Sequence, residues 1–433
     1  MTANHYDALD AWIDAHFDEE VRFLQELVRV PTDTPPGNNA PHAERTAELL
    51  AAMGLPADKH PVPTWALQEY GLQSITNLIV RRRFGTGGGE HRPAAGLGPI
   101  VALNAHGDVV PPGEGWSHDP YGAEIVDGKL YGRAAAVSKS DFATYTYALR
   151  ALEALGAPLE QGGSAVALRG GVELHFTYDE EFGGELGPGW LLENRLTRPD
   201  FLIAAGFSYQ VVTAHNGCLQ FEVTLHGLAS HAAYPETGID ALQAATRLLT
   251  ALYAHNDVLR KRRSAVAGIT HPYLNVGRIE GGSNTNVVPG KVVLKIDRRL
   301  IPEEEARTVE AEVRELIERT VAASAGVRVE IRRLLLAHPL KPLAGNAPLV
   351  AAVQSHGQAV FGVPIPTSGT PLYTDARLYG AHGVPAVIYG AGPRTVLESN
   401  AKRADEHLVL SDLRGATKVI ARTLLDLLHA EAP

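Results

Sequence analysis

Cysteine is almost absent: Cys218 stands alone in 433 residues, which excludes an internal disulfide framework and any metal cluster built on thiolates. Excess positive charge is missing as well. The formal net charge is -10 with acids and bases interspersed, whereas nucleic acids and anionic membranes need a concentrated basic patch. A small-molecule substrate or a protein partner is the expectation, with no nucleic acid and no membrane. No apolar run reaches membrane-spanning length, and Met1-Thr2-Ala3-Asn4-His5-Tyr6-Asp7 lacks the basic-then-apolar layout of a signal peptide. The expected location is cytoplasmic. Internal repeats are lacking too, and the one low-complexity piece, Gly85-Thr86-Gly87-Gly88-Gly89, reads as a hairpin or solvent loop.

What the chain does have is enough apolar material for a full core, 45% hydrophobic against 20% charged, at a length that suggests two or three domains. Leu9, Trp12, Ile13, Phe17, Val21, Leu24, Leu27 and Val28 recur at three- and four-residue spacing and predict an amphipathic helix, broken by Pro31, Pro35 and Pro36. Apolar strand-like runs at 100–103, 174–177, 201–204 and 386–389 alternate with helical ones at 142–155, 348–361 and 413–428. That alternation predicts an α/β fold, a mostly parallel sheet with helices on both faces. The middle differs: strands at 219–225, 273–279, 292–296 and 327–334 interleave with helices around 241–253 and 303–323. This is the split order of a small α+β sandwich inserted into the larger domain. The expected division is 1–214 with 338–433 for the larger domain, and 215–337 for the insertion.

Polar residues gather at strand ends. His106 and Asp108 follow the strand 100–103, and ligands in such sheets collect outside the carboxyl ends of strands. A His with an Asp two residues on suits a metal ligand with an orienting acid, although taken alone such a turn after a strand is more often structural. At the end of the next strand, His175-Phe176-Thr177-Tyr178-Asp179-Glu180-Glu181 clusters three acids. They read either as a solvated loop or as a catalytic base beside a ligand.

The order of motifs narrows the choice. His106-x-Asp108, Trp116 to Pro120, Asp127 to Arg133, Asp179-Glu180-Glu181, Gly227 to His231, Gly281 to Pro289 and Asp297-Arg298-Arg299 together resemble the zinc-dependent aminoacylases, acetylornithine and succinyl-diaminopimelate deacylases, carnosinases and carboxypeptidase G. The resemblance covers nearly the whole chain. It implies a zinc-exopeptidase-like catalytic domain carrying two metals, and an inserted lid that makes a homodimer. By position it implies His106 and Glu181 as metal ligands, Asp108 as the acid behind His106 and Glu180 as general base. It also implies that His231 reaches a neighbouring subunit's site to stabilise an oxyanion. Asn286 and Arg299 would bind substrate, Arg299 through a carboxylate.

Three further ligands of that pattern are missing. Gly132-Arg133-Ala134-Ala135-Ala136 leads to Val137 where the bridging Asp is expected, the strand 201–204 leads to Gly206 (Ala205 one register earlier), and the terminal His is replaced by Lys402 in Ala401-Lys402-Arg403-Ala404-Asp405-Glu406. Two remaining protein ligands are fewer than the three or four zinc takes, so a dinuclear centre is not expected, and at most one weakly bound zinc. Asp141 lies one helical turn, about 5.4 Å, beyond Val137 and reads as a solvent or helix-pairing acid. Removing two zinc ions takes away about four positive charges, and losing two carboxylates while gaining one lysine restores about three. Lys402 is expected to set its ammonium near Glu181; the alternative is that it points to solvent beside Arg403.

His118, His175 and His215 read as hydrogen-bonded structural histidines or pocket lining, and Ser138-Lys139 as neighbours that do not face one another. Three functions stay open: an amide hydrolase with recruited ligands, a metal-free enzyme on a small amide-bearing or amino-acid-like carboxylate with Glu180 as acid or base, and a non-catalytic binding or scaffold dimer. Retention of Glu180, His231, Asn286 and Arg299 favours an enzyme.

Overall fold

Strands Gly170–Thr177, Ile100–His106, Phe201–Ala204 and Ala386–Ile388 lie side by side and parallel, and in this computed structural model they carry the candidate site at their carboxyl ends. The model describes residues 3–85, 98–156 and 166–429. All seven residues of Ile100–His106 and all eight of Gly170–Thr177 are buried, as expected of inner strands covered on both sides. Antiparallel strands extend the sheet, Thr76–Phe84 and then Ala57–Pro61 beyond Gly170–Thr177, and Val211–His215 beside Ala386–Ile388. The loop expected at Gly85–Gly89 falls, from Thr86 on, outside the described residues.

Helix Ala3–Val28 buries Leu9, Ile13, Phe17, Val21, Leu24, Leu27 and Val28 on one stripe, packed against helices Lys139–Gly156 and Leu410–Leu428. Glu20 interrupts that stripe. It is fully buried, its Oε1 lies 2.6 Å from Thr417 Oγ1, and its Oε2 has no hydrogen-bond partner among the described residues. Thr417 Oγ1 also lies 3.0 Å from Leu413 O. The single hydroxyl proton can serve that carbonyl while a protonated Glu20 donates to Thr417. Burial pushes the Glu20 carboxyl up to about 8, against the opposing effects of Thr417 and Arg414.

A folded-state pKa above the unfolded one gives stability that is complete below the unfolded value of 4.5 and lost as pH climbs toward 8. Glu20→Gln keeps the shape without the charge. The variant is expected to gain about 1–3 kcal/mol over the parent at pH 8 and little at pH 4.5, read as the difference between urea unfolding curves at the two pH values. A difference that does not grow with pH would show that Glu20 is ionised in the fold.

The chain divides into two compact units, 1–213 with 342–367 and 378–433, and 214–341 with 368–377. The sequence-based boundaries left 368–377 in the larger domain. Its inclusion in the second unit reflects long-range contacts, such as Asn216 N–H donating to Thr370 O at 3.0 Å, that no local pattern announces.

The second unit holds an antiparallel sheet in the order Tyr273–Gly281, Lys291–Leu300, Gly217–His226, Arg328–Ala337. Burial alternates along Gly217–His226 and Lys291–Leu300, the two-residue period of a sheet with one buried face. Leu219, Phe221, Val223, Leu294 and Ile296 form that face, covered by Leu248 and Leu252 of helix Ala241–Leu259 and by Val309, Val313 and Ile317 of helix Ala306–Ala322. Asp240 caps the first helix by accepting the Leu242 and Gln243 N–H groups, and Glu305 caps the second through Arg307 and Thr308.

Candidate active site

His106 ends its strand, and the chain turns at Gly107, where a Cβ would sit 2.5 Å from Tyr178 Cε1. Glycine is needed for that close approach. Asp108 is fully buried, its Oδ1 accepting the Glu180 N–H at 3.2 Å and its Oδ2 the Glu181 N–H at 3.0 Å. One carboxylate thus fixes the short turn Glu180–Phe182 against the end of the neighbouring strand. His106 Nδ1 lies 3.0 Å from Asp108 O and 3.4 Å from its Oδ1, and His106 Nε2 lies 3.9 Å from Glu180 Oε2. Burial works against a proton on His106, but Glu180, Asp108 and Glu181 outweigh it and push its pKa up to about 10.

Lys402 Nζ lies 2.6 Å from Glu181 Oε2. Glu181 is nearly buried while much of the lysine side chain remains exposed, at 8% and 56%. Desolvation disfavours the ammonium, and the carboxylates of Glu181, Glu180 and Asp108 reverse that and hold its pKa above the ordinary lysine value. The alternative placement, pointing to solvent beside Arg403, is not the one observed.

The expected ligand positions supply no donors. Val137 is apolar and half-buried, Gly206 has no side chain, and Lys402 turns its ammonium onto Glu181. Among the described residues, no three His, Cys, Asp or Glu side chains are grouped to hold a metal ion. A cation beside Glu181 would also meet the ammonium head-on. The residues present therefore do not fit the two-zinc centre implied by the resemblance.

Asp141 requires a correction. It neither faces solvent nor pairs along its helix: it is 1% exposed, and its Oδ1 accepts the Ala391 N–H at 2.7 Å. Burial pushes its carboxyl up to about 8. The start of helix Lys139–Gly156 lies under the loop after Ala386–Ile388, which buries a side chain that the helical pattern alone leaves at the surface.

Ser138 Oγ accepts the His106 N–H at 3.0 Å, while buried Lys139 donates to Val30 O at 2.8 Å. The two side chains serve separate partners. His175 bonds to Glu173 and Tyr379, His215 to Asn216 O and Thr374 N–H, and His118 to Glu124.

Sequence reasoning missed the clamp behind Lys402. Arg133 and Glu406, 0% and 1% exposed, pair at 2.6 Å. Glu406 also accepts the N–H groups of Ala136 at 3.2 Å and Lys402 at 3.3 Å, while Arg133 donates to Pro112 O at 2.8 Å and stands over Trp116. The available signal was slight: Arg133 is the one charge in the small-residue run 132–136, but Glu406 is one of four charged residues in 401–406. Pairing across 273 positions is not a local property.

In the second unit, His231 and Asn286 are brought together: Ser230–His231 pairs with Val287–Val288, and Ala232 N–H donates to Asn286 O at 2.9 Å. Both are exposed. His231 Nδ1 accepts the Ala233 N–H at 3.0 Å, which places the proton of the neutral ring on Nε2. Arg299 bonds Asp297 through Nε at 2.7 Å and Nη2 at 3.4 Å, with Tyr373 under its guanidinium at 5.9 Å. One edge of the expected carboxylate fork is thus taken by the chain's own acid.

The sequence matches the model of peptidase family M20/M25/M40 over residues 102–426. It is 29% identical over 378 residues to succinyl-diaminopimelate desuccinylase of Rhodospirillum rubrum, covering 84% of this chain and 92% of that protein. The fold is similar to the dipeptidase Dug1p of Saccharomyces cerevisiae, with a TM-score of 0.74 at 14% identity and 98% of both chains covered. It is also similar to the metallo-carboxypeptidase Sso-CP2 of Sulfolobus solfataricus, with a TM-score of 0.72 at 18% identity, covering 94% of this chain and 98% of that one.

Proposed function

The chain belongs to peptidase family M20/M25/M40, and within that family we propose that it is a divergent enzyme whose dinuclear metal site has degenerated. In this reading it acts on a small amide-bearing, amino-acid-like carboxylate, without zinc or with at most one weakly held ion, and uses Glu180 as acid and base. The observation that carries the reading is Lys402 Nζ on Glu181 at 2.6 Å, an ammonium where the family pattern would set a metal-binding His. The similarity to a desuccinylase supports an N-acylated amino acid as the substrate class.

The chemistry follows from what the side chains can exchange. Glu180 takes a proton from the attacking water, the water oxygen bonds the amide carbon, and the carbonyl π electrons move to its oxygen. The ammonium of Lys402 has N–H groups beyond the one aimed at Glu181, and these meet the developing negative charge. Collapse of the adduct breaks the C–N bond as Glu180 returns the proton to the leaving nitrogen. Asp108 holds the Glu180–Glu181 backbone throughout. His231, Asn286 and Arg299 supply oxyanion and carboxylate contacts in a homodimer joined through the second unit. Support for that interface is the exposed edge strand Tyr273–Gly281 beside a helix with Tyr253 and Val258 exposed.

The test pairs metal analysis with turnover. Protein dialysed against a strong chelator is expected to hold far less than one zinc per chain and to keep its rate on a panel of N-acyl amino acids. Loss of the rate on chelation, with recovery on filling two zinc sites, would return the chain to conventional zinc chemistry.

A further inference from the structure

Gly206 stands where the family pattern expects an acidic ligand, against the end of the neighbouring strand Ala386–Ile388. A Cβ built on Gly206 would lie 2.4 Å from Ile388 Cγ2 and 3.2 Å from both Ile388 C and Tyr389 N. The first distance is far inside carbon–carbon contact. Any side chain at 206 therefore requires Ile388 to move.

Ile388 has little freedom to do so. Its backbone is in register with Ala204 on one side and Val212 on the other, and it is 1% exposed. A β-branched side chain has one strongly preferred χ1, so its γ-methyl goes where the sheet sends it. The glycine cannot back away either. Gly392 N–H donates to Gly206 O at 2.8 Å, Tyr389 N–H to Ala204 O at 2.9 Å and Ser208 N–H to Gly392 O at 3.0 Å. Asp141 holds the same loop from the helix below through Ala391 N–H.

We infer that Ile388 and this knitted loop have closed the position of the lost ligand, so that the dinuclear centre cannot be regained by restoring ligand residues alone. Reversion at Val137 and Lys402 would rebuild part of a site, and an acid at 206 would still find a methyl group in its path. The inference rests on the reading that the chain works without paired zinc ions, and it locates one structural cause of that loss at Ile388.

The experiment compares V137D/K402H, V137D/G206D/K402H and V137D/G206D/K402H/I388A, with zinc per chain measured by mass spectrometry after equilibration and thermal unfolding followed in parallel. The variant that keeps Ile388 is expected to hold fewer than two zincs and to melt about 3–8 °C below V137D/K402H. Adding I388A is expected to admit the second zinc. Two zincs bound with Ile388 retained and no loss of Tm would overturn the inference.

Should the multiple variants fail to fold, G206A in the parent chain tests the same contact. It is expected to lower Tm, and to lower it much less when I388A is already present; an unchanged Tm for G206A alone also overturns the inference. The two proposals fail differently. Two zincs in the parent protein end the metal-free reading, whereas a zinc-free parent with a fully loaded Ile388-containing triple variant ends only the packing argument.

Discussion

Truncating Glu406 to alanine is expected to destabilise the protein by about 3–5 kcal/mol, the cost of leaving one member of a buried ion pair without the other. Arg133 is fully buried, and its partner at 2.6 Å would be gone. The Ala136 and Lys402 N–H groups would lose their acceptor as well. Burial raises the Glu406 pKa even though Arg133 opposes the rise, so the carboxylate depends on that guanidinium for its charge. Denaturant unfolding should show the midpoint fall, and Glu406→Gln, which keeps an acceptor oxygen, should lose less. An unchanged midpoint for the alanine variant would mean that the pair contributes nothing to the fold.

The same substitution should reach the candidate site through the backbone. Asn400, Lys402 and Asp405 all adopt left-handed φ values, +53°, +62° and +56°, and each such non-glycine residue costs on the order of 1 kcal/mol. A loop with three of them holds its shape because neighbours enforce it. Glu406 does so from inside, and Asp405 from the surface by accepting the Ser117 and His118 N–H groups. Losing Glu406 releases the loop that aims Lys402 at Glu181.

The parts of this molecule that sequence could reveal are those governed by local periodicity or by strand-end position. The continuous apolar run at 100–103 and the strand-like stretch at 174–177 were readable as strands of a mostly parallel sheet because they alternate with helical segments. The strands at 219–225 and 292–296 were readable from their order with the helices around them, which marked an inserted α+β unit. His106, Asp108, Glu180 and Glu181 stood out as candidates through the order of motifs shared with the family, since a polar turn after a strand is by itself more often structural.

What stayed hidden depends on contacts between distant segments. Nothing near Asp141 shows that a loop 250 positions on will cover it, nothing near Arg133 names Glu406, and Gly206 reveals a missing ligand but not the methyl group of Ile388 in its place. The grouping of segment 368–377 with the second unit likewise rests on long-range contacts. Charge-pair logic made a Lys402–Glu181 contact conceivable from sequence, because an unpaired buried carboxylate is costly; geometry was needed to separate it from an ordinary surface lysine.

Glu180→Gln is expected to lower kcat by about 10²- to 10⁴-fold, the range that positioned acid–base groups contribute. Glutamine preserves the side-chain shape, and the hydrogen bond from residue 180 to Asp108 comes from the backbone N–H, so the turn Glu180–Phe182 should remain in place. KM should accordingly change little, because the proton acceptor is removed while the contacts that hold the substrate are not. Lys402→Met separates charge from packing in the same assay. With the stem retained and the ammonium lost, kcat should fall while the response to chelator stays flat. A Glu180→Gln protein as active as the parent would remove Glu180 from the chemistry, whatever the metal content. A large loss of kcat with unchanged zinc content would leave this carboxylate, beside an ammonium instead of a metal, as the group that moves the proton.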